Sequence, residues 1–120
     1  MASVALFCSV LARPAHAISS AVNLSTRMVV QTGDNVLIGG FIVYGSGQKK
    51  IAVRAIGPSL SIAGKLSDPV VELHDATGNI IASNDNWRTT QENEITAAGL
   101  APANELESAL IATINTGPYT

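Results

Sequence analysis

The segment 70–84, VVELHDATGNIIASN, decides the fold of this chain. Its two apolar runs have the length and composition of β-strands, and polar turn residues separate them. Asp75 stands at the first position of that turn and Gly78 at the fourth, which suits a type I turn followed by a glycine in the left-handed region. The segment therefore predicts a β-hairpin.

Segments of the same kind precede the hairpin. One strand is predicted over 22–32 and a second over 36–45, with the turn Gly33-Asp34-Asn35 between them. The segment 49–57, KKIAVRAIG, alternates apolar and polar positions in the manner of a half-buried strand. Turns recur roughly every ten residues, which favours an all-β, antiparallel β-sandwich over a fold of alternating strands and helices.

The C-terminal part supports two interpretations. Asn104 and Glu107 have capping-box spacing, and an apolar stripe with helical periodicity runs on to Ile114. The segment 108–114, SALIATI, also alternates as a strand would, and NTGPYT follows it as a tight turn. Local patterns leave helix and strand equally open here.

The first seventeen residues, MASVALFCSVLARPAHA, have the pattern of a secretory signal peptide. An apolar run over 4–12 is followed by Ala15-His16-Ala17, although no basic residue precedes the run. We expect cleavage after Ala17, secretion or display at the cell surface, and a single domain over 18–120. The alternative is that 1–17 forms a buried N-terminal strand or helix.

Composition restricts the chemistry that is available. Cleavage after Ala17 would remove Cys8, the only cysteine of the 120 residues, and would change the formal charge from −2 to −3. Thiol nucleophiles and thiolate metal sites are then excluded from the mature chain. Basic residues form no stripe for nucleic acid, and no apolar run is long enough to span a bilayer.

Three long phrases carry a resemblance to a known family. NLSTRMVVQTGDNVLIGGFIVYG, KKIAVRAIGPSL and DPVVELHDATGNIIASNDNW resemble an uncharacterised repeat-type domain of large exported bacterial proteins, from about residue 22 to residue 120. The half from Asp68 onward is similar to bacterial pre-peptidase C-terminal domains. That likeness implies a jelly-roll-like β-sandwich and favours a strand for SALIATI. Both likenesses imply a chain that continues past Tyr119, so we expect this domain to be truncated before its last strand.

No residue pattern predicts catalysis. His74 and Asp75 would point to opposite faces of a strand, which separates them as an acid–base pair. Nothing fixes the separation of Glu92 and Glu94, so we expect them in a solvated loop rather than as paired glycosidase carboxylates. Ser59 in GPSL lacks the glycine-flanked setting of a nucleophile elbow. We therefore expect no catalytic residues and a protein that is not an enzyme.

The bend 83–87, SNDNW, is the candidate site. Asp85, with help from Asn84 and Asn86, supplies the oxygen ligands that calcium prefers, although the spacing differs from that of an EF-hand. Trp87 could stack against a sugar. The alternative is that the polar residues satisfy turn backbone groups while Trp87 plugs the end of the fold.

The expected function follows from these patterns and from the resemblance. We expect a non-catalytic accessory or adhesion-type module whose partners are a cell-surface glycan or protein, or other domains of a longer chain. The alternative is a calcium-dependent carbohydrate-binding module. In that case Asp75 or Glu107 is a candidate distant ligand, and calcium would be the only cofactor.

Overall fold

The computed structural model describes residues 24–31, 33 and 36–120, and the predicted signal peptide 1–17 lies outside them. The described elements in chain order are β1 (Phe41–Val43), β2 (Lys49–Ala55), β3 (Val71–His74), β4 (Ile80–Asn84), α1 (Glu92–Ala97), β5 (Ser108–Ile114) and β6 (Gly117–Tyr119). Strands dominate, and one short helix accompanies them. The prediction of an all-β fold is confirmed.

The strands form three antiparallel pairs, β1 with β6, β2 with β5 and β3 with β4. The β2–β5 ladder is unbroken from the pair Lys49 and Ile114 to the pair Ala55 and Ser108. His74 and Thr120 exchange two backbone hydrogen bonds, of 2.6 and 3.1 Å, which place the end of β6 beside β3. The arrangement of these pairs as a jelly-roll-like sandwich stays a prediction.

The hairpin of β3 and β4 is confirmed with its turn. The Gly78 N–H donates to the Asp75 carbonyl at 3.0 Å, and Gly78 has a φ of 85°. That backbone conformation is one that L side chains rarely adopt, so glycine is required at this position.

Strand β5 lies between two hydrophobic clusters. Leu110 and Ile114 pack with Leu73 of β3 in the larger cluster, to which all six strands contribute. Ala109 packs with Trp87 and Ile95 in the smaller cluster. Because successive side chains of a strand point to opposite faces, β5 contributes to both clusters at once.

Of the two interpretations of the tail, the strand is confirmed, since 108–114 forms β5. One of the two hydrogen bonds of a capping box is nevertheless present, from the Asn104 N–H to the Glu107 side chain, whereas Asn104 Oδ1 accepts from Leu106 and not from Glu107. The Asn104 N–H donates to Glu107 Oε2 at 3.2 Å, and the Leu106 N–H donates to Asn104 Oδ1 at 2.9 Å. These hydrogen bonds close a turn and do not start a helix. The apolar residues that follow the turn belong to β5, which is buried through its pairing with β2.

The predicted loop around Glu92 and Glu94 is instead the helix α1. Gly99, with a φ of 70°, ends it in a Schellman motif: its N–H donates to the Thr96 carbonyl, and the Leu100 N–H donates to the Ile95 carbonyl. Leu100 then packs beside Ile95 in the smaller cluster. The Gly-Leu pair at 99–100 was a usable stop signal, but the segment lacks a side-chain N-cap that would have marked its start.

The strand predicted over 22–32 is not formed in its described part. Residues 24–31 carry no strand hydrogen bonds, and Leu24, Met28 and Val29 are exposed. Of the second predicted strand, over 36–45, only β1 is formed. Among the described residues, no helix has the length and apolar character needed to cross a membrane.

Candidate functional site

Asn84, the second residue of the candidate bend, is almost completely buried, with 5% of its surface exposed. Its Oδ1 accepts the Ala109 N–H at 2.9 Å. Its Nδ2 donates to the Asn86 carbonyl at 3.1 Å and to Thr90 Oγ1 at 3.3 Å. The side chain therefore joins the bend to β5, and its oxygen is already engaged by a backbone donor.

Gln91, four residues beyond the bend, also binds β5 through its side-chain amide. Its Oε1 accepts the Ile111 N–H and its Nε2 donates to the Ile111 carbonyl, both at 2.9 Å. Ala109 and Ile111 are two residues apart, so their backbone groups lie on the same edge of β5. Asn84 and Gln91 together occupy positions that a neighbouring strand would fill, and we call this pair the amide cap.

Trp87 is a buried member of the smaller hydrophobic cluster. Only 4% of its surface is exposed, and it packs against Ile95 and Ala109. The Arg88 guanidinium lies over the ring, 4.6 Å from its centroid, in a cation–π contact. The ring offers no free face on which a sugar could stack.

Asp85 and Asn86 occupy the middle of the bend. Asp85 is exposed, whereas the Asn86 carbonyl accepts hydrogen bonds from Asn84 Nδ2 and, at 2.7 Å, from Thr89 Oγ1. Asn86 Oδ1 is buried with no hydrogen-bond partner. Of the three predicted calcium ligands, the structure thus leaves side-chain oxygens of two, Asp85 and Asn86, without a protein donor in the described part of the chain.

The other candidate metal ligands lie in separate settings. Within the described residues, no three His, Cys, Asp or Glu side chains are grouped so that they could hold a metal ion. Asp75 is committed to its own turn, where Oδ1 accepts the Thr77 N–H at 2.9 Å and the Asn79 N–H at 3.0 Å. These donors, with the Thr77 hydroxyl the largest contributor, lower the pKa of Asp75 to about 2.

Glu107 is the residue whose role sequence reasoning missed. Its side chain is fully buried, with 0% exposed. Oε1 accepts the N–H of Gly57 at 3.1 Å, the N–H of Ser59 at 2.9 Å and the Ser59 hydroxyl at 2.5 Å. With the Asn104 N–H on Oε2, four donors meet one carboxylate.

These donors determine the ionisation of Glu107. Burial by itself raises the pKa of the carboxyl, but the hydrogen bonds from Ser59 and then those from the Asn104 and Gly57 N–H groups outweigh it. The pKa of Glu107 is therefore below its ordinary value, and the charge is retained inside the fold. The carboxylate ties the loop 57–59 to the turn that precedes β5.

His74 and Ser59, two residues considered for catalysis, contact different carboxylates. The His74 ring contacts the Gly78 carbonyl at 3.1 Å and Glu72 Oε2 at 3.0 Å, and these contacts, in that order, raise the pKa of His74. Ser59 donates to Glu107 rather than to an imidazole.

Glu92 and Glu94, the two other acidic candidates, each pair with a different base. Glu92 Oε1 lies 2.6 Å from Arg88 Nη1, and Glu94 Oε1 lies 2.5 Å from Lys50 Nζ. The two carboxylates are thus not directed at a common substrate position.

Comparison of the chain with protein-family models, with curated proteins and with solved structures found no match. The resemblance to the exported repeat domain and to pre-peptidase C-terminal domains stays a prediction.

Proposed function

We propose that this chain is a non-catalytic accessory or adhesion-type module of an exported bacterial protein. The observation that carries the proposal is the use of three polar side chains, of which Glu107 and Asn84 are buried and Gln91 is half-buried. Glu107, Asn84 and Gln91 all bind backbone groups of the chain itself. Side chains committed in this way hold loops and edges in place, which supports a module that acts through its shape and surface.

The export part of the proposal rests on the sequence. The signal-peptide pattern over 1–17 and the likeness to exported repeat domains both support a location outside the cytoplasm. Its partners are then a cell-surface glycan or protein, or neighbouring domains of a longer chain.

Turnover assays test the non-catalytic part directly. The chain is incubated with fluorogenic ester, peptide and glycoside substrates, alongside the variants His74→Ala and Ser59→Ala. We expect no turnover above the blank for any of the three proteins. Turnover by the wild-type chain that either substitution abolishes would show an enzyme instead.

A binding assay tests the adhesion part. Beads that carry the chain are exposed to insoluble polysaccharides and to immobilised extracellular proteins, with beads carrying a heat-unfolded sample as the control. Retention that requires the folded chain supports the proposal. Equal retention by both bead types would count against surface recognition.

A calcium-dependent carbohydrate-binding module is the second candidate, and one observation favours it. Asn86 Oδ1 is buried without a hydrogen-bond partner beside the exposed carboxylate of Asp85. A buried polar atom without a partner is costly, and a bound cation would satisfy it. The sugar contact of such a module would come from residues other than Trp87.

Thermal unfolding with millimolar calcium and then with chelator tests this candidate. Occupancy at ten times Kd would stabilise the chain by about 1.4 kcal/mol. Asp85→Asn should abolish the calcium-dependent shift, whereas Asp68→Asn, which changes another exposed carboxylate, should retain it. No shift in the wild-type chain, or equal shifts in both variants, would remove calcium from the account.

A further inference from the structure

The turn that follows β3 and the turn between β5 and β6 lie side by side. The two backbone hydrogen bonds between His74 and Thr120 hold β3 beside the end of β6, which brings residues 75–77 opposite residues 115–119. These two segments line an open cleft of about 320 Å³. A cleft of this size can hold a small ligand or one unit of a polymer.

The Tyr119 ring forms the apolar part of the cleft. It stacks on Phe41, with the ring centroids 5.6 Å apart and an angle of 21° between the planes. Its hydroxyl donates to the Asn115 carbonyl at 3.0 Å. The ring is thus held in position by both contacts while it lines the cleft. An aromatic ring in such a setting offers apolar surface to a ligand.

Three polar side chains of the same cleft keep hydrogen-bonding capacity for a ligand. Asp75 Oδ2 is contacted in the described part of the chain by Asn79 Nδ2 alone, at 3.3 Å. Asn115 Oδ1 accepts from Gln48 Nε2 at 3.4 Å, which leaves the Asn115 amide N–H groups to donate. Thr116 is exposed, and its hydroxyl can both donate and accept.

The charge of the lining restricts the class of ligand. Asp75 is the one charged side chain among the described residues that line the cleft, so an anionic ligand would be repelled. A neutral sugar has hydroxyl groups that donate to a carboxylate and accept from an amide, and its C–H face can pack on an aromatic ring. An amine would pair with the carboxylate but would make no use of the amide donor.

We propose that this cleft is a binding site for a neutral glycan. One sugar unit packs on the Tyr119 ring, its hydroxyl groups donate to Asp75 Oδ2, and they accept hydrogen bonds from the Asn115 amide and the Thr116 hydroxyl. The inference rests on the proposed adhesion function and assigns the glycan contact to the two turns. The contact lies apart from Trp87 and needs no metal ion.

Heteronuclear NMR of the full chain tests the proposal by titration with soluble neutral cello-, xylo- and manno-oligosaccharides. Amide signals of residues 75–78 and 115–119 should shift with at least one of these sugars. Thr116→Val removes one hydroxyl and should weaken binding about fivefold. Thr113→Val is the matched control, since Thr113 is an exposed threonine of β5 outside the cleft, and it should bind as the wild-type chain does.

A second pair of variants changes the aromatic ring. Tyr119→Leu should weaken binding about tenfold. Tyr44→Leu should leave binding unchanged, because Tyr44 is 78% exposed and lies outside the cleft. Circular dichroism checks the fold of Tyr119→Leu, and the result with Thr116→Val does not depend on that variant.

The outcomes separate the site from the proposed function. Shifts with none of the neutral sugars, or shifts produced only by an anionic oligogalacturonate or by a lysine amine, would overturn the proposal. Sugar binding that survives both Thr116→Val and Tyr119→Leu would overturn this site but leave the adhesion function standing. A chain that binds no sugar but is retained by extracellular proteins would likewise keep the adhesion function without this site.

Discussion

Glu107 shows at the scale of one residue how the fold accommodates a buried charge. A carboxylate removed from water is unfavourable unless donors replace its hydration. The Ser59 hydroxyl and three backbone N–H groups provide those donors. The same contacts join two loops that lie about fifty residues apart in sequence.

Glu107→Gln should destabilise the chain by about 3 kcal/mol, because an amide is a weaker acceptor and presents its own N–H groups to backbone donors. Glu105→Gln changes an exposed carboxylate two residues away and is the matched control, with an expected effect within about 0.5 kcal/mol. Chemical denaturation of both variants measures the difference. Equal stabilities would show that the Glu107 contacts contribute little.

Asp75 makes the hairpin turn sensitive to acid. Its folded-state pKa of about 2 lies below its ordinary 3.8, so the ionised side chain stabilises the folded state above about pH 4. That contribution is lost as the pH falls toward 2. The melting temperature of the wild-type chain should exceed that of Asp75→Asn most clearly above pH 4, and the gap should shrink by pH 2. A gap that stays constant over this range would contradict the role of the charge.

The sequence predicted the turn role of Asp75 but not the loop contacts of Glu107. The two residues differ in how far along the chain their hydrogen-bond donors lie. Every donor to Asp75 lies within four residues, so the turn pattern contains the information. Glu107 shares one local contact with Asn104, and this appeared in the sequence as a capping box. Its contacts with Gly57 and Ser59 depend on the tertiary fold, which no local pattern encodes.

Helix α1 shows at the scale of elements why a six-residue helix escapes sequence analysis. So short a helix is unstable by itself and depends on its tertiary contacts. Burial of Ile95 and the ion pair of Glu94 with Lys50 provide them. The residues that Ile95 and Glu94 contact lie in other parts of the fold, so no local pattern marks the helix. The alternation of β2, by contrast, is visible along its own sequence.

Loop 57–59 depends on a close approach at Gly57. A Cβ added there would overlap the backbone carbonyl of Leu66, and that carbonyl cannot move as a side chain could. Gly57→Ala should therefore destabilise the chain by about 2 kcal/mol or more. Gly39→Ala is the matched control, since an added Cβ there meets nothing within 4 Å. Equal melting temperatures for the two variants would show that the loop can shift freely.

The whole molecule is organised around β5, which pairs with β2 on one edge and contributes to hydrophobic clusters on both faces. The side chains of Asn84, in the candidate bend, and of Gln91 bind the second edge of β5. Alternation along the sequence predicted β2 and the β3–β4 hairpin, whereas the strand predicted over 22–32 is not formed in its described part. The role of the bend as an edge cover depends on which strand it meets in three dimensions. Asn84 of SNDNW and Gln91 are therefore bound to the backbone of β5.

Amide hydrogen exchange at Ile111 tests whether Gln91 covers this edge of β5. The Ile111 N–H binds no strand but donates to Gln91 Oε1 at 2.9 Å. It should exchange as slowly as the Leu110 N–H in the wild-type chain, and Gln91→Ala should accelerate exchange at Ile111 while leaving Leu110 protected. Asn93→Ala, on the exposed side of α1, should change neither amide. Rapid exchange at Ile111 in the wild-type chain, or protection that survives Gln91→Ala, would contradict the account.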